Sequence, residues 1–246
     1  MRWAWAALAA IALAGCATGP GTPDPQRAAD SHAGVGLQLL ARDRLEAARE
    51  RLERALELDA DQPQALTGLG LIAEAQGDRQ AALRYHRRAA EAAPDSGPVL
   101  NNWGRILCRE GRVDEALEVL GTAAEADGYE APEVPLSNAA RCALDHGRRE
   151  RAQAAVEAAL AAAPGFPPAR TVRAELRYRD GAYEAAAEDL RQARQGGETA
   201  RNLYWSARVA AARGADGDAE AHAEALRARF PDSEFAERLR ADEVVP

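Results

Sequence analysis

The stretch Val99-Leu100-Asn101-Asn102-Trp103-Gly104-Arg105-Ile106-Leu107-Cys108-Arg109-Glu110-Gly111-Arg112 decides the fold, because its two glycines and the alanines beyond it, Ala116 and Ala123, recur at a fixed interval. Thirty-four residues upstream the same places hold Gly70, Gly77, Ala82 and Ala89. With each unit numbered 1 to 34, position 8 is Gly36, Gly70, Gly104, Ala140, Ala174 and Ala207, and position 20 is Ala48, Ala82, Ala116, Ala152, Ala186 and Ala219. All twelve are small, although 61 alanines and 20 glycines in 246 residues put a small side chain at a given place only about one time in three. Position 27 continues with Ala55, Ala89, Ala123, Ala159 and Ala193 before ending in Leu226.

Position 32 carries Pro94, Pro164 and Pro231, where a helix must stop, and Gly77, Gly111, Gly147, Gly181 and Gly214 mark a turn near position 15. Each unit is therefore two helices of about a dozen residues, crossing where small residues let their backbones approach. The composition agrees: abundant alanine with only 12 aromatic residues (Trp 4, Tyr 5, Phe 3) favours helix and starves a sheet.

The pattern resembles the tetratricopeptide repeat in its small-residue positions, mid-repeat turn and terminal proline. The units span 29–62, 63–96, 97–130, 133–166, 167–199 and 200–233, with two extra residues falling in the Gly128 to Pro135 turn region. The resemblance implies an all-α superhelix, an α-solenoid of about six helical hairpins whose first helices line a concave groove. Residues 234–246 are expected to form a capping helix and tail, with Phe235 to Leu239 amphipathic. Repeat 5 departs from the pattern, placing Arg173 and Arg177 at usually apolar positions.

The N-terminus reads differently. Met1-Arg2, an apolar run from Trp3 to Leu13 and the sequence Leu13-Ala14-Gly15-Cys16 make an export signal, too short to span a bilayer. The cysteine after the small residues resembles a lipobox of bacterial lipoproteins, which implies removal of residues 1–15 and acylation of Cys16. Ala17 is not the aspartate that resembles an inner-membrane retention signal, so the expected site is the outer membrane, facing the periplasm. Residues 16–28 are expected to be the lipidated terminus and a flexible tether, since their prolines and glycines suit a helix poorly.

The net charge of -8 comes from 31 cations, every one an arginine, against 39 anions. Without lysine there is no P-loop, Schiff base or kinase-type phosphate contact. No basic stripe interleaves with aromatics, so nucleic acid is not an expected partner. The densest cationic patch, Arg84-Tyr85-His86-Arg87-Arg88, reads as a solvated helix face. Four scattered histidines, with no HExxH, GxSxG or glycine-rich phosphate loop, point to a non-enzyme with no cofactor, metal or small-molecule substrate. Cys108 and Cys142 lie on the first helices of repeats 3 and 4. They are either bridged, which requires Cα atoms within about 7 Å, or two separate buried thiols.

Positions 2, 5, 9 and 12 of the first helices resemble the ligand-facing set of the repeat family. They include Asn101, Arg105, Arg141, Tyr178, Tyr204 and Arg208, with Leu37, Leu40 and Leu71 making an apolar patch in the first two repeats. Lipobox, tether, six repeats and closing segment together resemble the PilF/PilW lipoproteins of type IV pilus biogenesis. The 99–112 stretch, Gly128-Tyr129, Asn138 to Leu144 and Arg229-Phe230-Pro231-Asp232-Ser233 carry that resemblance. It implies a pilotin-like protein, held to the membrane by its N-terminal lipid, that binds secretin subunits and assists their localisation and assembly. The alternative is a repeat lipoprotein scaffold for tight-adherence pilus assembly or other envelope biogenesis, including regulation of a cell-wall synthase.

Overall fold

The computed structural model describes residues 24–244, and among them are thirteen helices and no strand. They are α1 (Pro25–Leu40), α2 (Leu45–Leu58), α3 (Pro63–Ala75), α4 (Arg79–Ala92), α5 (Gly97–Arg109), α6 (Val113–Glu125), α7 (Glu133–Asp145), α8 (Arg149–Ala162), α9 (Pro167–Arg179), α10 (Tyr183–Gln195), α11 (Ala200–Ala212), α12 (Asp216–Arg229) and α13 (Glu234–Val244). Consecutive pairs from α1 to α12 form six hairpins. The export signal, Cys16 and the lipobox lie outside the described residues.

The first helix reaches four residues into the stretch read as tether. Asp24 caps it, its Oδ1 accepting from the Gln26 amide at 3.1 Å, and Pro25 takes the first turn, where a missing N–H costs nothing. Proline density marks the approach to this helix but does not exclude its start.

Inside each hairpin the chain turns through one left-handed residue. Gly77, Gly111, Gly147, Gly181 and Gly214 have φ between +71° and +75°, and Asp43 takes the same role in the first repeat at +57°. The next residue then bonds back over the helix end, as Arg112 N–H does to the Leu107 carbonyl at 3.0 Å and Ala182 N–H to that of Arg177 at 2.9 Å. Aspartate is among the few residues that tolerate this conformation, so the first repeat's turn lacks a glycine without losing its geometry.

The helices cross where the small residues fall. A Cβ on Gly36 would stand 2.6 Å from the Leu52 side chain, and one on Gly104 would stand 2.5 Å from that of Leu120. The large partner is position 24 of the unit: Leu52, His86, Leu120, Val156 and Leu190, all nearly without exposure. His86 therefore belongs to the core of repeat 2, not to the solvated face read for Arg84 to Arg88. Gly70 makes room for its ring, and Glu74 Oε1 lies 2.7 Å from its Nε2.

Repeat 5 also resolves differently from its sequence. Arg173 and Arg177, with Arg170, converge on Asp189 of α10, which is only 1 % exposed. Arg173 makes two bonds to it, at 2.6 and 2.9 Å; Arg177 reaches it at 2.7 Å and Arg170 at 3.0 Å. Three guanidinium groups enter an apolar surface because one carboxylate waits there.

Neighbouring hairpins stack so that each odd-numbered helix touches the next odd-numbered helix, from α1 with α3 to α11 with α13. Each even-numbered helix touches the following first helix, while successive even-numbered helices stand farther apart, α6 and α8 meeting through long side chains in the Arg151–Asp114 pair at 2.7 Å. Close first helices and splayed second helices bend the stack, leaving α1, α3, α5, α7, α9 and α11 along the concave side. The helix α13 takes the place a seventh first helix would occupy, burying Phe235, Ala236 and Leu239 against Tyr204 and Leu226.

Candidate functional site: the concave face

The concave face divides by chemistry. At its N-terminal end Leu37, Leu40 and Leu71 are half-buried. Their patch has no charged member of the candidate set, whereas from α5 onward the face carries polar and arginine side chains.

Across repeats 3 and 4 a polar chain runs from helix to helix. Asn138 donates to Asn101 Oδ1 at 2.8 Å and its own Oδ1 accepts from Arg141 at 2.9 Å. Arg105 reaches Asn102 at 3.1 Å and Glu74 at 3.2 Å. Glu74 also receives Arg109 and His86. Burial works against its charge, but the His86 bond and the Arg105 and Arg109 guanidinium groups outweigh that and hold its carboxyl down at about 2.

Cys108 and Cys142 are disulfide-bonded in the floor of this region, their Cα atoms 5.9 Å apart. The bridge ties α5 to α7, and His146 Nδ1 lies 3.0 Å from the Cys142 carbonyl oxygen and 3.9 Å from Cys108 Sγ. The two sulfurs and the imidazole lie within 4.8 Å of one another. Bonded sulfurs lack the thiolate charge a metal needs, so the oxidised cluster is a covalent staple and not a metal centre. Cys142 lies on α7 and His146 caps that helix four residues later, which brings the imidazole beside the bridge.

Further along, Arg201 of α11 binds two carboxylates. It pairs with Asp145 at 2.8 Å and with the almost fully buried Glu175 at 2.7 Å; burial opposes its charge, and the Asp145 and Glu175 carboxylates raise its pKa above the usual arginine value. Arg141 stands between these groups, exposed at its tip and enclosed by the curved wall. Desolvation by that wall and the Arg201 charge lower its pKa; Asp145 opposes them, and Arg105 and Arg109 lower it further. Among the described residues its one hydrogen bond is to Asn138, and it makes no salt bridge with them.

At the C-terminal end Arg208 donates to the Tyr178 hydroxyl at 3.2 Å and lies 5.8 Å from that ring's centre. Tyr178 packs against Tyr183 and Trp205, with ring centres 5.5 and 5.3 Å away. Tyr204 corrects the sequence expectation: it is 7 % exposed, its ring 5.5 Å from Phe235 of α13. The capping helix covers this would-be groove residue. The residues missed are Glu74, Glu175 and Arg201. They occupy positions 12, 9 and 2, within the ligand-facing set, but read as ordinary helix-face charges.

Between α7, α9, α11 and the start of α13 the face opens into a cavity of about 740 Å³. Pro167, Pro168, Val172 and Phe235 supply apolar wall, while Arg109, Arg141 and Arg201, with Asp145 and Glu234, supply charge of both signs. Such a surface, an apolar wall beside charged side chains, has the mixed lining of a ligand-binding cleft.

Tetratricopeptide-repeat families match residues 36–77, 73–134 and 137–202. The chain belongs to the tetratricopeptide-repeat proteins. Over 219 residues it is 28% identical to the type IV pilus assembly protein PilF of Pseudomonas aeruginosa, covering 85% of this chain and 86% of that one. The solved structure of P. aeruginosa PilF superposes with a TM-score of 0.72 at 25% identity, covering 89% of this chain and 99% of the other. The structure of PilW, described as a widely conserved type IV pilus biogenesis factor, gives 0.72 at 24% identity, covering 86% and 97%. Within the repeat class, the chain is similar over most of its length to the type IV pilus proteins PilF and PilW.

Proposed function

We propose that this chain is a non-enzymatic outer-membrane lipoprotein of type IV pilus biogenesis, anchored through Cys16, that holds secretin subunits in its concave face during their localisation and assembly. The observation that carries the reading is the likeness to PilF along nearly the full length of both chains. Supporting it are the lipobox sequence Leu13-Ala14-Gly15-Cys16, the curved first-helix surface and the lack, among the described residues, of any helix long and apolar enough to cross a membrane. Several acyl chains, at about 0.8 kcal/mol per buried methylene, would supply the membrane attachment.

The test is a deletion strain complemented with wild-type chain or Cys16→Ala. Wild type is expected in outer-membrane fractions with heat-resistant secretin multimers restored, whereas Cys16→Ala leaves the chain unanchored and the multimers reduced. Normal multimers in the deletion strain would overturn the secretin role and favour a scaffold for another envelope assembly.

A further inference from the structure

We infer that the cavity between repeats 4 and 6 is a subsite for a carboxylate-bearing, partly apolar segment of an extended partner polypeptide, with Arg141 as its anion contact. This rests on the reading of the concave face as a partner-binding surface and adds the chemistry of what it holds.

The argument begins with charge. The chain as a whole carries -8, so an excess of cations on one face runs against its average. Across the middle of the concave face four guanidinium groups, Arg105, Arg109, Arg141 and Arg201, meet three carboxylates, Glu74, Asp145 and Glu175. The three carboxylates are spent. Glu74 is shared by His86, Arg105 and Arg109; Asp145 takes two bonds from Arg201; Glu175 takes Arg201 and Arg179. Among the described residues Arg141 has an amide oxygen for its hydrogen-bond partner, and the like charges of Arg201, Arg105 and Arg109 around it are offset by Asp145, which is itself paired with Arg201.

A cation in that position gains when an anion arrives, because the anion relieves repulsion already present instead of competing with an existing pair. Asn138 fixes one edge of the guanidinium by its bond at 2.9 Å, leaving other donors free to make a forked contact with a carboxylate. The cavity beside it fixes the rest of the ligand's character. Pro167, Pro168, Val172 and Phe235 form an apolar wall, so an acidic residue beside an aliphatic or aromatic one satisfies both parts. Glu234 and Asp145 also border the cavity; Asp145 is held by Arg201, and Glu234 at the far rim sets a limit on how many negative charges the ligand carries. One or two carboxylates with intervening apolar side chains fit; a polyacidic run does not.

The experiment uses the mature full-length chain and two fluorescein-labelled, C-terminally amidated octapeptides, Gly-Ser-Leu-Glu-Phe-Asp-Leu-Gly and its twin with glutamine and asparagine replacing the acids. Anisotropy titration at low salt is expected to show the acidic peptide binding at least tenfold more tightly than its twin, with the gap narrowing as salt rises. Arg141→Ala, a change at an exposed tip, is expected to abolish the gap with the circular dichroism unchanged. Arg141→Lys keeps part of it, and Arg84→Ala on α4 keeps all of it. Equal binding of the two peptides, no binding of either, or a gap that survives Arg141→Ala would overturn the inference. Co-purification of wild-type chain with secretin from solubilised membranes is scored separately: its loss sinks the functional reading, while its persistence without peptide discrimination sinks only this subsite.

Discussion

Repeats 3 and 5 join their two helices by different means. In repeat 3 Gly104 brings α5 down onto Leu120, and apolar packing does the whole task. Repeat 5 keeps the equivalent apolar crossing, Ala174 with Leu190, and adds beside it a carboxylate buried under three arginines. The two are interchangeable in shape and unequal in risk. An apolar crossing that loses a methyl group loses one increment of burial. A charge network that loses its shared, buried carboxylate keeps three cations that the more distant Glu157 and Glu188 compensate only in part.

The largest effect should therefore come from Asp189. Asp189→Ala is expected to destabilise by about 3–5 kcal/mol, the usual cost of removing one side of a buried ion pair. Urea unfolding followed by circular dichroism measures it, and amide hydrogen exchange should localise the loss to α9 and α10, as expected where stability is summed from neighbouring repeats. Replacing Arg170, Arg173, Arg177 and Asp189 together by apolar residues should return most of the lost stability. A loss under 1 kcal/mol for Asp189→Ala would break the contrast between the two repeats.

Next comes the staple between repeats 3 and 4. On the chain-entropy model, closing a loop with a sequence separation of 34 is worth about 4 kcal/mol. Reduction, or Cys108→Ser with Cys142→Ser, is expected to lower the unfolding midpoint and to raise exchange in α5 and α7 before α1 or α11. Uniform loosening along the array would mean that the bridge acts on the whole stack and not on its own interface.

What the sequence disclosed follows from this contrast. Glycine and alanine at positions 8 and 20 announce close helix approach because no larger side chain fits, so the hairpins and their period could be read directly. Asp189 could not, since an aspartate in Glu188-Asp189-Leu190 looks like any solvated helix residue until α9 is laid against it. His86 was hidden in the same way among arginines, although its place at position 24, where Leu52 and Leu120 stand, was the available clue. Tyr204 failed for another reason: the face rule holds for an inner repeat, and the last repeat has α13 over that face.

A smaller effect tests the polar core of repeat 2. Glu74 is held at about 2 when folded, against an ordinary value of 4.5. A depressed carboxylate contributes stability that is fully present above its unfolded pKa and is lost as pH falls through the folded one. The window is thus pH 4.5 down to about 2, with roughly 3 kcal/mol at stake. Wild type minus Glu74→Gln, compared across that range, should shrink toward zero at the acid end. A difference independent of pH would assign Glu74 a packing role only.

The smallest effect sharpens the apolar side of the comparison. Gly104 and Gly121 of repeat 3 sit in helix interiors, yet only Gly104 has a neighbour. A methyl group on Gly104 meets Leu120 at 2.5 Å, whereas one on Gly121 meets nothing within 4 Å. Alanine in a helix interior is worth up to about 1 kcal/mol over glycine at either site. At Gly121 that gain stands alone, so Gly121→Ala is expected to stabilise by about 0.5–1 kcal/mol. At Gly104 the gain is set against overpacking of about 1–3 kcal/mol, because Leu120 is fully buried and cannot swing into solvent. Gly104→Ala should therefore destabilise by about 1 kcal/mol, and opposite signs for two identical substitutions would isolate the crossing as the cause. If both changes stabilise, α5 and α6 make room for a methyl group such as Ala140, Ala174 and Ala207 bury at the same position in repeats 4 to 6, and the close approach in repeat 3 is a convenience instead of a constraint.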